Sequence, residues 1–188
     1  MPFYRELNSG KVISFSTPVT FFVGENGSGK STLIEAIAVA MGYNAEGGSK
    51  NFNFSTRNTT SELYSELQPS RIAYEKDGFF FRAESFYNVA TNIDDLRINI
   101  HNYGGKSLHN QSHGESFLSL IQNRFRGNGF YILDEPEAAL SPMRQLTLLL
   151  EINTLVKKKS QFIIATHSPI LLAYPNAQIY NLDSGIER

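Results

Sequence analysis

Short runs of apolar residues alternate along the chain with longer stretches in which apolar residues recur every three or four positions. The short runs predict β-strands, because they are rich in β-branched and aromatic residues and end near turn-forming residues. Five predicted strands follow this pattern: Lys11–Phe15, Val19–Val23, Phe130–Leu133, Gln161–Ala165 and Gln178–Leu182. Two further segments, Arg71–Lys76 and Phe79–Arg82, flank Asp77-Gly78, a dipeptide that favours a two-residue hairpin turn.

Helices are predicted between these strands. They cover Ser31–Met41, Glu115–Phe125 and a segment after Ser141, where Pro142 suits the first helical position. The apolar face of this last helix is predicted to comprise Met143, Leu146, Leu149, Leu150 and Val156. Strands at both ends of the chain with helices between them predict an α/β fold, with a mixed β-sheet, flanking helices and a small antiparallel hairpin region.

Length and composition predict a globular protein. The chain has 188 residues, a length typical of one domain, so we expect a single domain over residues 1–188 with a helical segment at about residues 85–126. The 17 Lys and Arg nearly balance the 18 Asp and Glu, which gives no global attraction to DNA or anionic lipid. The absence of cysteine excludes disulfides and Cys-ligated metals. No apolar run approaches the roughly 20 residues that span a bilayer, so we expect a cytoplasmic protein without a membrane segment of its own.

A glycine-rich loop follows the predicted strand Val19–Val23. Its sequence, Gly24-Glu25-Asn26-Gly27-Ser28-Gly29-Lys30-Ser31, matches the phosphate-binding pattern G-x-x-x-x-G-K-[ST]. In such a loop the backbone N–H groups surround phosphate oxygens, and the next helix points its positive end at them. Lys30 would reach the β- and γ-phosphates of ATP, and the Ser31 hydroxyl would bind Mg²⁺. The alternative is a glycine-rich turn that only caps a helix. The residues expected to contact the nucleotide are Asn26, Gly27, Ser28, Gly29, Lys30, Ser31 and Thr32.

Two carboxylates follow the predicted strand Phe130–Leu133. Two acids after a strand are usually solvated turn residues. In a chain that also carries a phosphate-binding loop, they predict a site for Mg²⁺ and for an attacking water. Asp134 would hold Mg²⁺, directly or through water, and Glu135 would orient the attacking water.

Two more motifs complete a family resemblance. They are Ser112-His113-Gly114-Glu115 and Thr166-His167-Ser168. With them the chain resembles an ATPase of the ABC (ATP-binding cassette) superfamily, in a small soluble group akin to the RecF and structural-maintenance-of-chromosomes (SMC) branch. The resemblance implies that residues 112–115 are the signature segment, that Ala138-Ala139-Leu140-Ser141 is the D-loop segment, and that His167 is the switch histidine that senses the γ-phosphate.

The resemblance also implies a P-loop NTPase fold and a function. A homodimer would close head to tail around two Mg-ATP molecules, and hydrolysis would reopen it. Ser112 and Gly114 would act on the partner's ATP, and the other motif residues on the chain's own ATP. Ser112 and Glu115 also match a capping box, which is the structural alternative for that segment. The alternative functions are a nucleotide-gated binding module that acts on DNA or a nuclease partner, and the ATPase subunit of a transporter.

Two positions depart from the family pattern. His113 stands where the usual signature has its first glycine, so a side chain would lie near the partner's γ-phosphate. No glutamine occupies a clear Q-loop position; Glu84 is its expected occupant and a candidate contact of Mg²⁺ or its water. The aromatic residue that stacks on adenine stays open among Phe3, Tyr4 and Phe15.

Overall fold

The structure is a computed structural model, and it describes residues 10, 12–50, 62–95, 109 and 111–183. A five-stranded β-sheet lies at its centre. The strands are β1 (Val19–Val23), β2 (Asp77–Arg82), β3 (Gly129–Asp134), β4 (Gln161–Ala165) and β5 (Gln178–Asn181). Their order in the sheet is β2-β3-β4-β1-β5, and every neighbouring pair is parallel. The α/β class is confirmed, but the five strands form a parallel sheet rather than a mixed one; an isolated antiparallel bridge joins Gly48 to Phe80.

Helices cover both faces of this sheet. They are α1 (Lys30–Ala40), α2 (Phe86–Asp95), α3 (His113–Arg124), α4 (Pro142–Lys157) and α5 (Pro169–Leu172), with 3-10 turns at Glu62–Glu66 and Pro136–Ala139. Helix α1 packs on one face, and α2, α3, α4 and α5 on the other. Alternate residues of β1 to β4 therefore enter different apolar clusters: in β3, Tyr131 and Leu133 join one cluster, and Phe130 and Ile132 the other. None of the helices in the described ranges has the length and hydrophobicity required to cross a lipid bilayer.

The hairpin predicted at Asp77-Gly78 is wrong. These two residues begin β2, which runs parallel to β3. The Asp77 carboxylate accepts a hydrogen bond from the Tyr131 hydroxyl at 2.8 Å and pairs with Arg124, so it anchors the start of the strand. Gly78 permits a close approach of neighbouring groups, because a Cβ there would overlap the hydroxyl oxygen of Tyr43 and lie 2.8 Å from the carbonyl oxygen of Phe130. Asp77-Gly78 therefore serves the packing of β2, although the same dipeptide commonly marks a hairpin turn in sequence.

The predicted strand Lys11–Phe15 is also wrong over its described part, residues 12–15. This segment is hydrogen-bonded by side chains of β5, whereas a strand would be hydrogen-bonded by the backbone of a neighbouring strand. The Gln178 amide and the Tyr180 hydroxyl both donate to the carbonyl oxygen of Ser14, each at 2.9 Å. These side-chain bonds satisfy a backbone group that a strand would otherwise pair in a ladder.

The apolar face predicted for α4 is partly wrong. Leu148 and Ile152 of this helix are fully buried, but the sequence did not assign either residue to the apolar face. Three residues that were assigned to it, Met143, Leu146 and Leu150, are exposed. Because α4 carries apolar residues on more than one side, their spacing alone does not show which side faces the sheet.

Candidate nucleotide site

The predicted motifs meet at one edge of the sheet. Strands β3, β4 and β1 are neighbours and run parallel, so their carboxyl ends lie side by side. The glycine-rich loop follows β1, the Asp134-Glu135 pair ends β3, and His167 follows β4. In open α/β sheets this edge is where ligands bind.

The glycine-rich loop folds around the side chain of Lys30. The ammonium group donates to the carbonyl oxygens of Gly24 at 2.7 Å and Glu25 at 3.0 Å. Gly27 and Gly29 have φ values of 84° and 99°, a backbone region that glycine adopts without steric cost. A cavity of about 160 Å³ opens beside the loop, and its lining is Asn26, Gly27, Gly29, Lys30, Ser31, Thr32 and Glu135.

This lining contains six of the seven residues predicted to contact the nucleotide, and Glu135 in addition. Ser28 is the exception. Its hydroxyl is buried without a hydrogen-bond partner among the described residues, and a Cβ on Gly24 would lie 2.7 Å from it. Ser28 therefore packs inside the loop.

Burial and four carboxylates act in opposite directions on the charge of the Lys30 ammonium. Burial lowers the pKa of Lys30, and the negative charges of Glu135, Asp183, Asp134 and Glu137 act in the opposite direction. Asp183 also accepts a hydrogen bond from the Glu25 N–H at 2.6 Å, which fixes the start of the loop.

Ser31 and Asp134 form a hydroxyl–carboxylate pair. The Ser31 hydroxyl donates to Asp134 Oδ1 at 3.1 Å. Burial raises the pKa of Asp134 to about 6, and the guanidinium of Arg82, whose Nε lies 3.5 Å from Asp134 Oδ2, opposes that rise. Hydroxyl and carboxylate oxygens are the hard ligands that Mg²⁺ prefers, so the donor set fits the expected ion.

Glu135 and His167 face each other across the site. Glu135 Oε1 lies 3.7 Å from His167 Nε2, and both side chains are about 40% exposed. Glu135 has a φ of 50°, an uncommon value for a non-glycine residue, and its N–H donates to the carbonyl oxygen of Ala165 at 3.0 Å. This bond holds the acid against the end of β4.

Glu84 is not among the described residues that line the cavity. Its side chain is 89% exposed and lies 3.8 Å from Arg82 Nη2. Arg82 also pairs with Glu35 of α1 and with Asp134, so it links Glu84 to the carboxylate expected to hold Mg²⁺. The magnesium role of Glu84 stays a prediction.

The signature segment forms the capping box that the sequence predicts. The Ser112 hydroxyl accepts the N–H of Glu115, and Glu115 Oε2 accepts the N–H of Ser112 at 3.0 Å. Arg144, a residue of α4 to which the sequence assigned no role, donates to the Ser112 hydroxyl at 3.2 Å and to Glu115 Oε1 at 2.9 Å. These bonds from Ser112 and Arg144 lower the pKa of Glu115. Gly114 is pressed against the D-loop segment, since a Cβ there would lie 2.7 Å from the Ala139 carbonyl oxygen.

His113 and Phe15 have other surroundings. His113 lines a separate cavity of about 50 Å³ beside α2. Of the three aromatic residues considered for adenine stacking, Phe3 and Tyr4 fall outside the described residues. Phe15 packs edge-on against Phe22, with ring centroids 6.3 Å apart.

A comparison with protein families decides the relationship. The sequence model of a family described as an AAA domain matches residues 1–168. The chain belongs to this AAA domain family. Among curated proteins, no sequence matches this AAA domain significantly.

Solved ATP-binding cassettes share the fold of the AAA domain. A dimeric bacterial ABC transporter cassette has a TM-score of 0.52 and 14% identity, over 94% of this chain and 86% of that chain. The SMC head bound to the C-winged helix domain of ScpA has a TM-score of 0.50 and 17% identity, over 90% and 87%. An ATP-binding cassette of another ABC transporter has a TM-score of 0.50 and 20% identity, over 91% and 79%. The ABC-type P-loop fold predicted from the sequence is confirmed.

Asp134→Asn is expected to stabilise the AAA domain at neutral pH. The pKa of the buried carboxyl rises from 3.8 to about 6, so above that pH the folded state holds a charge that burial disfavours. Replacing it with a neutral amide should increase the free energy of unfolding by about 1–3 kcal/mol, a few degrees in melting temperature for a chain of this size.

The pH dependence identifies this cause. The advantage of the asparagine variant should shrink as the pH falls from about 6 and vanish below the ordinary carboxyl pKa of 3.8, where Asp134 is protonated in both states. Thermal melting of both proteins at several pH values measures it. A variant that melts lower than the wild type at neutral pH would contradict the explanation.

Proposed function

We propose that the AAA domain binds Mg-ATP and hydrolyses it, and that it closes head to tail as a homodimer with two ATP molecules at the interface. One observation carries the proposal: Lys30, Ser31, Asp134, Glu135 and His167, from three separate segments of sequence, meet at one edge of the sheet. The AAA family and the ABC-type fold agree with this chemistry.

The residues of one chain divide the work on its own nucleotide. Loop N–H groups and the Lys30 ammonium bind the phosphates. Glu135 takes a proton from the attacking water and orients it, while His167 contacts the γ-phosphate. Ser31 and Asp134 would hold Mg²⁺, which supplies positive charge to the phosphate oxygens when it is bound.

The signature segment supplies the partner's contribution. Ser112 is the N-cap of α3, a helix of 12 residues whose N-terminus carries roughly half a positive charge. The guanidinium of Arg144 adds a full charge 3.2 Å from the Ser112 hydroxyl. Glu115 Oε1 already accepts one bond from this guanidinium at 2.9 Å, and a γ-phosphate presented by a second chain would be a further acceptor at the same helix end. The capping box is compatible with this role, because the Ser112 oxygen and the first helical N–H groups lie at the same exposed end.

The two alternative functions retain this ATP cycle and differ in the partner. A nucleotide-gated binding module would hold DNA or a nuclease when closed, whereas a transporter ATPase would hold a membrane subunit. A variant trapped with ATP, such as Glu135→Gln, separates them by what co-purifies with it.

Glu135→Gln tests the ATP cycle itself. The amide keeps the size of the side chain but removes the base, so ATP affinity should persist while hydrolysis falls by about 10²–10⁴-fold. With ATP the variant should double its mass in light scattering, and with ADP it should stay monomeric. Glu151→Gln on α4, whose carboxylate contacts Gln122, is the matched control and should behave as the wild type. Wild-type hydrolysis by Glu135→Gln would move the base elsewhere, and a monomer at saturating ATP would contradict the dimer.

A further inference from the structure

The carboxylate of Glu137 binds the main chain of His167. Glu137 lies in the 3-10 turn Pro136–Ala139, and its Oε1 accepts the N–H of His167 at 2.6 Å. Its Oε2 is buried without a hydrogen-bond partner among the described residues. A buried carboxylate oxygen that lacks a partner costs stability, so the fold retains this acid at an energetic disadvantage. No motif considered above gives Glu137 a role.

The sequence Glu135-Pro136-Glu137 directs two carboxylates onto the same histidine. Glu135 adopts a left-handed conformation, and its carbonyl oxygen accepts the N–H of Ala138 at 3.0 Å, which closes the turn. Glu135 faces the ring nitrogen Nε2 of His167, and Glu137 holds the backbone N–H of that residue. The ring and the main chain of His167 are therefore both set by one short turn.

A second contact fixes the residue that follows His167. The buried side chain of Gln145 donates to the carbonyl oxygen of Leu140 at 3.1 Å and accepts the hydroxyl proton of Ser168. Ser168 in turn caps α5 by accepting the N–H groups of its first turn. The segment from Glu137 to Ser141 and the segment around His167 are thus joined at two points.

We propose that Glu137 is a positioning residue for ATP hydrolysis, because it fixes the main chain of His167 and so orients the imidazole toward Glu135 and the γ-phosphate. This inference rests on the proposed function. It also gives the dimer a route to the catalytic residues: Ala138–Ser141 is the expected D-loop segment, and any shift of that segment on closure reaches His167 through Glu137.

Substitution of Glu137 separates positioning from folding. Glu137→Ala should lower kcat for ATP by about 10-fold or more, with the KM for ATP nearly unchanged, because the phosphate-binding residues are intact. Glu137→Gln keeps an oxygen acceptor of the same length and should retain most of the activity. Glu151→Ala is the control for loss of a carboxylate elsewhere on the domain. Wild-type kcat in Glu137→Ala, in a preparation that hydrolyses ATP normally, would overturn the positioning role and leave the proposed function standing.

A double-mutant cycle and a spectroscopic signal complete the test. If Glu137 acts through His167, adding Glu137→Ala to His167→Ala should cause no further loss, whereas a second independent loss would overturn the inference. In the wild type the His167 N–H donates to a carboxylate. In amide NMR spectra its proton resonance should move upfield in Glu137→Ala and much less in Glu137→Gln. An unchanged His167 signal in Glu137→Ala would equally overturn it. If the alanine variant fails to fold, Glu137→Asp decides: its carboxylate is one methylene shorter and should not reach the His167 N–H, so kcat and the amide signal should change in the direction expected for Glu137→Ala, and wild-type values of both would overturn the inference.

Discussion

Lys30→Ala is expected to abolish ATP turnover and leave the domain folded. The ammonium contacts two loop carbonyl oxygens, and four carboxylates act on its charge, so its interactions are polar and do not belong to the apolar clusters. Without it, the phosphates would approach those carboxylates with no positive side chain between them. Loss of a single electrostatic stabiliser of this kind lowers kcat by about 10²–10³-fold, and loss of ATP binding adds to that.

Calorimetry with ATP, phosphate release and thermal melting measure the three parts of this prediction. Lys50→Ala is a matched control, because Lys50 pairs with Glu75 and takes no part in the site. It should bind and hydrolyse ATP as the wild type does. Normal turnover by Lys30→Ala would contradict the assignment of residues 24–31 as a phosphate-binding loop.

The parts of the site that lie within short stretches of sequence were predictable. The glycine-rich loop and the Asp134-Glu135 pair need particular residue types at fixed spacing, and the structure brings both to one edge of the sheet. Strands β1 and β4 were predicted with the bounds that the structure shows, because central strands buried on both faces appear as continuous apolar runs.

Contacts that depend on strand pairing were not predictable. Arg82 reaches Asp134 because β2 lies parallel to β3 and places the two residues opposite each other. The hairpin predicted at Asp77-Gly78 paired Phe79–Arg82 with Arg71–Lys76 instead of β3, so the contact between Arg82 and Asp134 was not expected. Arg144 and Glu137 were missed for a related reason: each contacts a residue about 30 positions away, and nothing in local sequence marks such a pair.

Mixing two inactive variants should restore activity. Ser112→Arg places a long cation at the start of α3, beside Arg144, and should block closure onto the partner's γ-phosphate. Its own Lys30 and Asp134 are untouched, so the chain should still bind ATP. Lys30→Ala has the opposite defect, an inactive nucleotide site with an intact signature segment. A mixed dimer then contains one site with both lesions and one site with neither.

The recovered rate follows from the symmetry of the dimer. Random pairing makes half of the dimers mixed, and each has one working site of two, so the mixture should reach up to about a quarter of wild-type activity. Lys30→Ala mixed with Glu135→Gln is the negative control. Both substitutions affect the ATP bound by the chain that carries them, so each site of a mixed dimer contains one substitution and no activity should return.

Loss of the Ser112 cap is a separate effect that thermal melting can measure. Removal of such a cap costs about 0.5–2 kcal/mol, too little to unfold most domains. If Ser112→Arg melts as a folded protein and mass measurements confirm mixed dimers, yet no activity returns, Ser112 serves its own helix alone. If activity returns, Ser112 must act on a nucleotide that another chain binds. A defect that affected only the chain carrying Ser112→Arg would not be repaired by the intact signature segment of its partner.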